Sequence, residues 1–326
     1  MPNLESKYMG LTLRNPVIIG SSGLTNSAAK IKELETHGAG AVVLKSIFEE
    51  QILMEAHSLK TDYMRHTEEM DYITGYTERH KLDEYLELIE KAKKEVSIPV
   101  IASINCVSAS RWTSFAKKIQ EAGADGLELN IFIMPGDNKQ KGEEVEQIYF
   151  DIINEVRNQV SLPLAVKMSY YFSGLANMLF NLSVRKIDAI VLFNRFFQPD
   201  IDLEKMEVVA SHVFSSPEEI ALPLRWVGMV SDEVKCDLAA STGIHDGNAV
   251  IKCLLVGARA VQVATTIYQN GPAYIEKMLE QVKNWMKDHR YKSIRDFIGK
   301  LSQDKIRDPV MYERAQFMKY FSEAKI

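Results

Sequence analysis

Residues 122–130 read AGADGLELN, residues 37–45 read HGAGAVVLK and residues 256–264 read VGARAVQVA. In each stretch a glycine and an alanine precede a short turn and a run of mainly apolar residues. Glycine adopts the left-handed conformation that ends many helices, and the small alanine lets a helix pack closely on the strand that follows. The three stretches therefore predict the same helix–turn–strand join at three places in the chain.

Working outward from these joins, eight short apolar runs alternate with longer amphipathic segments. Parallel strands that are covered on both faces are apolar along their whole length. The predicted strands are Pro16–Ser21, Ala41–Lys45, Pro99–Ser103, Gly126–Ile131, Pro163–Met168, Asp188–Phe193, Asp237–Ser241 and Arg259–Ala264. The predicted helices include Asp83–Val96, Ser110–Glu121, Glu144–Val160 and Gly247–Leu255. Eight strand–helix units with short joins predict an α/β fold, the (β/α)₈ or TIM barrel.

Two long segments interrupt this alternation. Residues 49–81 and 195–218 follow the second and sixth strands, so we expect both insertions on the top face of the barrel. Residues 290–326 have the pattern of an amphipathic helical tail that packs on the barrel or on a partner. Because no linker rich in Pro, Gly or Ser divides the chain, we expect one domain over residues 1–326.

The composition is that of an ordinary globular protein, with 326 residues, 46% of them hydrophobic, and a net charge of −5. Without a basic stripe or an apolar run of about 20 residues, neither nucleic acid nor a membrane is an expected partner. The first residues lack the features of a signal peptide, which predicts a cytoplasmic protein. Cys106, Cys236 and Cys253 are far apart, so we expect small buried side chains and no metal site.

Polar side chains lie at the end of every predicted strand. The C-terminal ends of barrel strands meet on one face, where catalytic side chains normally project. The polar residues are Ser21, Ser22, Lys45, Ser46, Ser103, Asn105, Asn130, Lys167, Asn194, Ser241, Thr242 and Thr265. Two lysines and three asparagines on one ring predict a ligand site rather than ordinary strand termini.

The loops after the seventh and eighth strands have the pattern of a phosphate site. Residues 241–247 read STGIHDG, and Thr265 follows the eighth strand. Barrels often hold a phosphate between these two loops with backbone N–H groups. Together with the lysines and asparagines, this pattern suits flavin mononucleotide (FMN), because Lys167 could stabilise the anionic reduced ring. The same ring could instead bind a sugar phosphate, with Lys45 or Lys167 as a Schiff-base nucleophile.

At these positions the chain resembles the dihydroorotate dehydrogenase family, most closely its soluble class 1 members. The matching stretches are LTLRNPVIIGSSG (11–23), VVLKSI (42–47), GADGLELN (123–130), PLAVKM (163–168), STGIHDG (241–247), GARAVQVATTIYQNGP (257–272) and YKSIRDFIGKL (291–301). The resemblance implies an FMN-dependent oxidation of dihydroorotate, or of a related reduced small molecule, by hydride transfer to flavin N5. It also implies a role in pyrimidine biosynthesis, a homodimer and, in one subgroup, a separate electron-transfer subunit.

The resemblance implies roles for individual residues. Lys45 would contact both flavin and substrate and orient the substrate, and Lys167 would lie beside the N1 and O2 atoms of the flavin. The other implied flavin contacts are Ser22, Gly23, Ser46, Asn105, Asn130, Asn194, Ser241, Thr242, Gly243, Ala264 and Thr265.

The chain departs from the family pattern at the catalytic base. The family has a loop cysteine or serine that removes a proton from dihydroorotate, but here Ile133 stands at that position. An isoleucine cannot accept a proton, and general-base assistance is worth about 10²–10⁴ in rate. We therefore expect impaired oxidation of dihydroorotate, unless Asp137, Tyr170 or His245 takes the place of the base.

The substrate pocket departs from the family pattern too, because aromatic residues and an arginine replace amides. Tyr76 stands before the second helix, and Arg195 and Phe196 follow Asn194. Two alternatives therefore stay open. One is a catalytically impaired flavin-binding module, and the other is a sugar-phosphate lyase with a phosphate site but no flavin.

Overall fold

The computed structural model of the chain describes residues 2–48, 67–105, 109–195, 198–211 and 213–313. Eight parallel strands form a closed barrel in chain order. They are β1 (Val17–Ile19), β2 (Ala41–Val43), β3 (Val100–Asn105), β4 (Gly126–Asn130), β5 (Leu164–Met168), β6 (Ala189–Leu192), β7 (Asp237–Ser241) and β8 (Ala260–Val263). The pairings Val42 with Val100 and Val261 with Val17 complete the circle. The predicted (β/α)₈ barrel and its eight strands are confirmed.

The helices surround this barrel. Their bounds are Ala28–Thr36, Thr67–Glu95, Ala109–Glu121, Gly142–Gln159, Leu175–Ser183, Ala221–Val230, Gly247–Leu255, Thr265–Asn270, Tyr274–Asp288 and Val310–Glu313. Within the described part of the chain, 3₁₀ helices cover Gly23–Thr25, Pro217–Ile220, Ile294–Asp296 and Gln303–Lys305. The helix predicted from Asp83 begins at Thr67, so part of the predicted insertion 49–81 is helical. Across the described residues, no helix combines the length and the apolar character needed to cross a membrane.

Glycines shape the helix–turn–strand joins as the sequence predicts. Gly38, Gly123 and Gly257 have φ values of +101°, +87° and +118°, the region that glycine adopts without strain. Gly40 is required for a steric reason, because a Cβ there would lie 2.2 Å from the backbone oxygen of Asn15. The close approach of β1 and β2 therefore requires a residue without a side chain at position 40.

An N-terminal hairpin, which the sequence analysis did not predict, closes the bottom of the barrel. Its strands are Ser6–Tyr8 and Leu11–Leu13. Tyr8 and Met9 are buried in one cluster with small residues of the barrel strands, including Ala41, Ala165, Ala189, Ala239 and Ala260. The alanines leave space for these two large side chains, and the backbone N–H of Met9 donates to Asp237 Oδ2 at 2.9 Å.

The C-terminal segment and the cysteines complete the described structure. The continuous helical tail predicted over 290–326 is wrong for residues 290–313, which form two 3₁₀ helices and one short α-helix. Gly299, with φ +70°, and Pro309 interrupt the amphipathic pattern there. Residues 314–326 and Cys106 lie outside the described residues. Cys253 is buried and Cys236 is half-buried, both as free thiols.

Candidate functional site

A cavity of about 630 Å³ opens at the C-terminal ends of the barrel strands. Most of the predicted flavin contacts line it, namely Ser22, Lys45, Ser46, Asn130, Lys167, Asn194, Ser241, Thr242, Gly243, Ala264 and Thr265. These residues come together because the alternation of strand and helix brings all eight strand ends to one face of the barrel. Most of the ring predicted from the strand ends therefore forms part of the cavity wall, whereas Ser103 and Asn105 do not line it.

Two predicted contacts are not among the lining residues. Gly23 begins a 3₁₀ helix, and a Cβ there would lie 2.8 Å from the hydroxyl of Tyr268, which does line the cavity. Asn105 ends β3, beside Phe48, to which it is paired in register. Their roles in ligand binding stay predictions.

Lys167 lies on the cavity floor as part of a hydrogen-bonded chain that the sequence analysis missed. Its Nζ donates to Gln262 Oε1 at 2.8 Å, and Gln262 Nε2 donates to Glu128 Oε2 at 2.5 Å. The barrel interior lowers the pKa of Lys167 by desolvation, whereas the charge of Glu128 opposes that change. Gln262 and Glu128 gave no sequence signal because each stands inside an apolar strand run.

Lys45 follows β2, and hydrogen bonds among nearby serines hold the backbone beside it. The backbone N–H of Ser46 donates to Ser21 Oγ at 2.8 Å, and Ser46 Oγ lies 3.0 Å from Ser21 Oγ and 2.7 Å from Ser103 Oγ. Tyr85 OH donates to the Ser103 carbonyl oxygen at 3.0 Å. These bonds fix the backbone from which the exposed Lys45 side chain extends into the cavity.

Two asparagine amides offer acceptor atoms near this floor. Asn194 Nδ2 donates to the carbonyl oxygens of Lys167 and Ile131, each at 3.3 Å. These bonds leave the carbonyl oxygen of its amide as the group that can accept a hydrogen bond from a ligand. Asn130 Oδ1 is buried and has no hydrogen-bond partner among the described residues. An N–H donor of a bound ligand would satisfy it.

The predicted phosphate loops meet at one end of the cavity. Thr242 and Gly243 have φ values of +80° and +75°, and a Cβ on Gly243 would lie 2.1 Å from the backbone nitrogen of Ile220. The backbone N–H of Ser215 donates to Thr265 Oγ1 at 3.3 Å. The loops after β6, β7 and β8 therefore pack against one another at this end.

Ser215 is a third residue of the site, after Gln262 and Glu128, that gave no signal in the sequence. It lies in the insertion after β6, where no motif marks it, yet it lines the cavity. Its Oγ is 3.2 Å from His245 Nε2, and Thr266 Oγ1 donates to the carbonyl oxygen of His245 at 3.0 Å. His245 is not among the described lining residues, and Ser215 connects its side chain to the cavity wall.

The structure places none of the candidate bases in the cavity wall. Ile133 is half-buried and packs against the hydrophobic core. Asp137 lies in an exposed loop, where it accepts a hydrogen bond from the backbone of Lys139. The hydrogen bond with Tyr171, together with burial, raises the pKa of Tyr170 to about 12, which makes its phenol a poor base at neutral pH. The described lining residues include no Asp, Glu, His or Cys.

Arg195 is held by protein groups rather than left free for a substrate. Its Nε donates to Glu219 Oε2 at 2.9 Å, and its other nitrogens donate to the carbonyl oxygens of Val213 and Phe214, each at 3.1 Å. Arg195 lines both the main cavity and a neighbouring one of about 430 Å³ that Tyr170 helps to line. The Tyr76 side chain and Phe196 lie outside the described residues.

The fold and the site together define a class of protein, a (β/α)₈ barrel with a positively charged cavity at its top face. Lys45 and Lys167 supply positive charge, no described lining residue is a carboxylate, and the loops after β7 and β8 meet where barrels often bind phosphate. Among the described residues, no group of three or more His, Cys, Asp or Glu side chains could hold a metal ion.

Comparison with known proteins gives the family. The family model for dihydroorotate dehydrogenase matches residues 3–286. The chain is 27% identical over 304 residues to the dihydroorotate dehydrogenase B (NAD(+)) catalytic subunit of Thermoplasma acidophilum, covering 92% of this chain and 99% of that protein. It is 25% identical over 309 residues to the protein of the same name from Methanothermobacter thermautotrophicus, covering 91% and 97%. This chain therefore belongs to the dihydroorotate dehydrogenase family of oxidoreductases, as its motifs predict.

Proposed function

We propose that this chain binds FMN in the top-face cavity and oxidises dihydroorotate or a related reduced small molecule. The observation that carries the proposal is the position of Lys167, which Gln262 fixes on the floor of a cavity with no described carboxylate in its wall. The unpartnered Asn130 Oδ1 supports the same ligand, because a flavin ring carries an N–H donor. The residues present therefore fit FMN.

The chemistry that FMN supplies when bound is acceptance of a hydride at N5. Lys167 would place positive charge against the pyrimidine end of the ring, where negative charge develops on reduction. Lys45 would orient the substrate, and the amide oxygens of Asn130 and Asn194 would accept hydrogen bonds from N–H groups. The loops that carry Gly243 and Thr265 would hold the phosphate with backbone N–H groups.

The first test is the anaerobic visible spectrum of the purified protein, before and after addition of dihydroorotate. We expect a yellow flavoprotein that dihydroorotate reduces at least about 100-fold more slowly than the Thermoplasma acidophilum relative measured in parallel, because Ile133 stands at the position of the family's base and the described lining residues include no Asp, Glu, His or Cys. Dithionite should reduce the flavin fully, as a control for its accessibility.

Each other outcome has a distinct meaning. Bleaching at the rate of the relative would contradict the argument from Ile133. A flavin that no reduced substrate bleaches would favour the flavin-binding module. A colourless protein that FMN cannot reconstitute would overturn the proposal and favour the sugar-phosphate lyase, which borohydride trapping of a lysine would then test.

The proposal extends to partners and location. Both relatives compared above are named catalytic subunits, which supports a separate subunit that takes electrons from this chain. The free thiols of Cys236 and Cys253 support a cytoplasmic location, because disulfides are rare there. One domain over residues 1–326 stays part of the proposal.

A homodimer is also proposed, with its contact at the hairpin of Gln198–Asp202 and Glu207–Ser211. Leu203 and Met206 at its tip are 82% and 86% exposed. A two-stranded hairpin is marginally stable by itself in water, and such exposed apolar side chains mark contact surfaces. A second copy of this hairpin presents the same exposed Leu203 and Met206, and a two-fold symmetric contact would cover them against each other.

Replacing both Leu203 and Met206 with glutamate is expected to convert the dimer to a monomer, because paired like charges would face one another in the contact. Light scattering coupled to size exclusion measures the mass. Leu301→Glu, at an exposed leucine outside the hairpin, should leave the dimer intact. A wild type that is monomeric, or a double variant that stays dimeric, would contradict the proposed contact.

A further inference from the structure

A carboxylate lies beneath the cavity and takes no part in the chemistry described so far. Glu128 is 1% exposed, and it stands on β4, whereas Lys167 stands on β5 and Gln262 on β8. Because β8 is not a neighbour of β4 or β5, the Gln262 side chain crosses the barrel interior to reach both partners. The Gln262 side chain thus joins Glu128 to the cavity floor.

The charges at the two ends determine how Gln262 is oriented. A carboxylate only accepts hydrogen bonds and an ammonium only donates them. The amide can therefore bridge Glu128 and Lys167 only with its nitrogen toward the carboxylate and its oxygen toward the ammonium, which is the arrangement observed at 2.5 and 2.8 Å. Because charge-assisted hydrogen bonds are stronger than those between neutral groups, this arrangement favours the ionised pair.

Lys167 and Glu128 each favour the charged form of the other. Desolvation lowers the pKa of Lys167, and Glu128 is the charged group that opposes it among the described residues. Desolvation raises the pKa of Glu128, and Lys167 and Gln262 oppose that change. Tyr8 and Tyr85 also face Glu128, but burial raises the pKa of both phenols, so neither carries charge near neutral pH. Glu128 Oε1 has no hydrogen-bond partner among the described residues.

We infer that Glu128 is a positioning residue that acts through Gln262 to keep the Lys167 ammonium protonated and directed into the cavity. A buried lysine without a counter-charge tends to lose its proton, and a neutral amine could not offset negative charge on a ligand. The role of this charge in the protein rests on the proposed function, since a reduced flavin is the anion that the Lys167 ammonium would stabilise. The protonation state of Lys167 can be tested without flavin.

The first test measures the protonation of Lys167 in flavin-free protein. Its reactivity toward trace acetic anhydride is followed as a function of pH by mass spectrometry, because only the neutral amine reacts. We expect Lys167 of the wild type to be protonated at pH 7. Glu128→Gln should make Lys167 at least about tenfold more reactive at that pH, the effect of a pKa lowered by one unit. A wild-type Lys167 that already labels as a neutral amine would overturn the inference.

Two further variants separate charge from structure. Gln262→Leu keeps both ions but removes the bridge, so it should also increase the reactivity of Lys167. Glu35→Gln changes the same atoms at another buried glutamate, whose Oε1 accepts hydrogen bonds from Ser97, and should leave Lys167 unchanged. If Glu128→Gln does not fold, the reactivity of Lys167 in Gln262→Leu and its titration in the wild type still test the inference. Unchanged reactivity in Gln262→Leu would contradict the role of the bridge.

A second readout uses the flavoprotein. The pH dependence of the two-electron midpoint potential reports how many protons accompany reduction. The wild type should take up about one proton, because Lys167 is already charged, whereas Glu128→Gln should take up closer to two as Lys167 gains its proton on reduction. Failure of FMN to bind would contradict the proposed function alone, since the labelling needs no flavin. Equal proton uptake in both proteins would contradict the inference.

Discussion

Lys167→Met is expected to slow flavin reduction by a reduced substrate about 10²–10³-fold. That range is the usual effect of removing one group that stabilises developing charge in a preorganised site. Methionine keeps the apolar length of the side chain but leaves Gln262 Oε1 without its donor and Glu128 without its counter-charge. Stopped-flow spectroscopy under anaerobic conditions measures the rate.

The control for Lys167→Met is Lys252→Met, at an exposed lysine that does not line the cavity. This variant loses the same charge and should reduce at the wild-type rate. The affinity of each protein for FMN is measured in parallel, so that a slow rate is not confused with an empty site. A Lys167→Met protein that holds FMN and reduces at the wild-type rate would show that the lysine has no part in the reaction.

Gly243→Ala is expected to lower the free energy of unfolding and to release FMN. Position 243 has φ +75°, and its added Cβ would lie 2.1 Å from the backbone nitrogen of Ile220 and 2.7 Å from the carbonyl carbon of Glu219. A left-handed backbone costs alanine about 1–2 kcal/mol, and overpacking adds roughly 1–3 kcal/mol. The backbone must therefore shift at the end of the cavity where the phosphate is proposed to bind.

Denaturant unfolding and an FMN titration measure these two effects. Gly142→Ala is the matched control, because its Cβ would meet no atom within 4 Å and position 142 begins a helix. This control should be neutral or slightly stabilising, since alanine favours helix more than glycine does. A Gly243→Ala protein that unfolds with the free energy of the wild type and binds FMN as tightly would contradict the steric argument.

Local signals explain why the sequence predicted the barrel so completely. The eight strands are apolar runs, the joins at Gly38, Gly123 and Gly257 are marked by glycine, and both features are properties of neighbouring residues. The predicted ring followed from the same pattern, because a residue just after a barrel strand must lie on the top face. The amphipathic pattern was less reliable at residues 290–313, where Gly299 and Pro309 break the helix.

Contacts between distant residues explain what the sequence missed. Gln262 and Glu128 stand inside apolar strands, and only the closed barrel brings them within 2.5 Å of each other. Ser215 lies in an insertion without a motif, and it reaches the cavity because its backbone N–H donates to Thr265 Oγ1. Arg195 stands where the family has an amide, and only the structure shows that Glu219 and two backbone carbonyl oxygens hold it.

The sequence by itself determined the barrel, the face on which the strand ends meet and the family motifs, because each depends on residue type and order. The missing base at Ile133 stays a prediction from the same motifs. The tertiary structure alone decided which polar groups meet and which are exposed. The clearest case is the pair of Lys167 and Glu128, whose charges interact across the barrel through Gln262. Protonation of a buried group depends on the dielectric and the charges around it in space, and no local pattern in the chain encodes those.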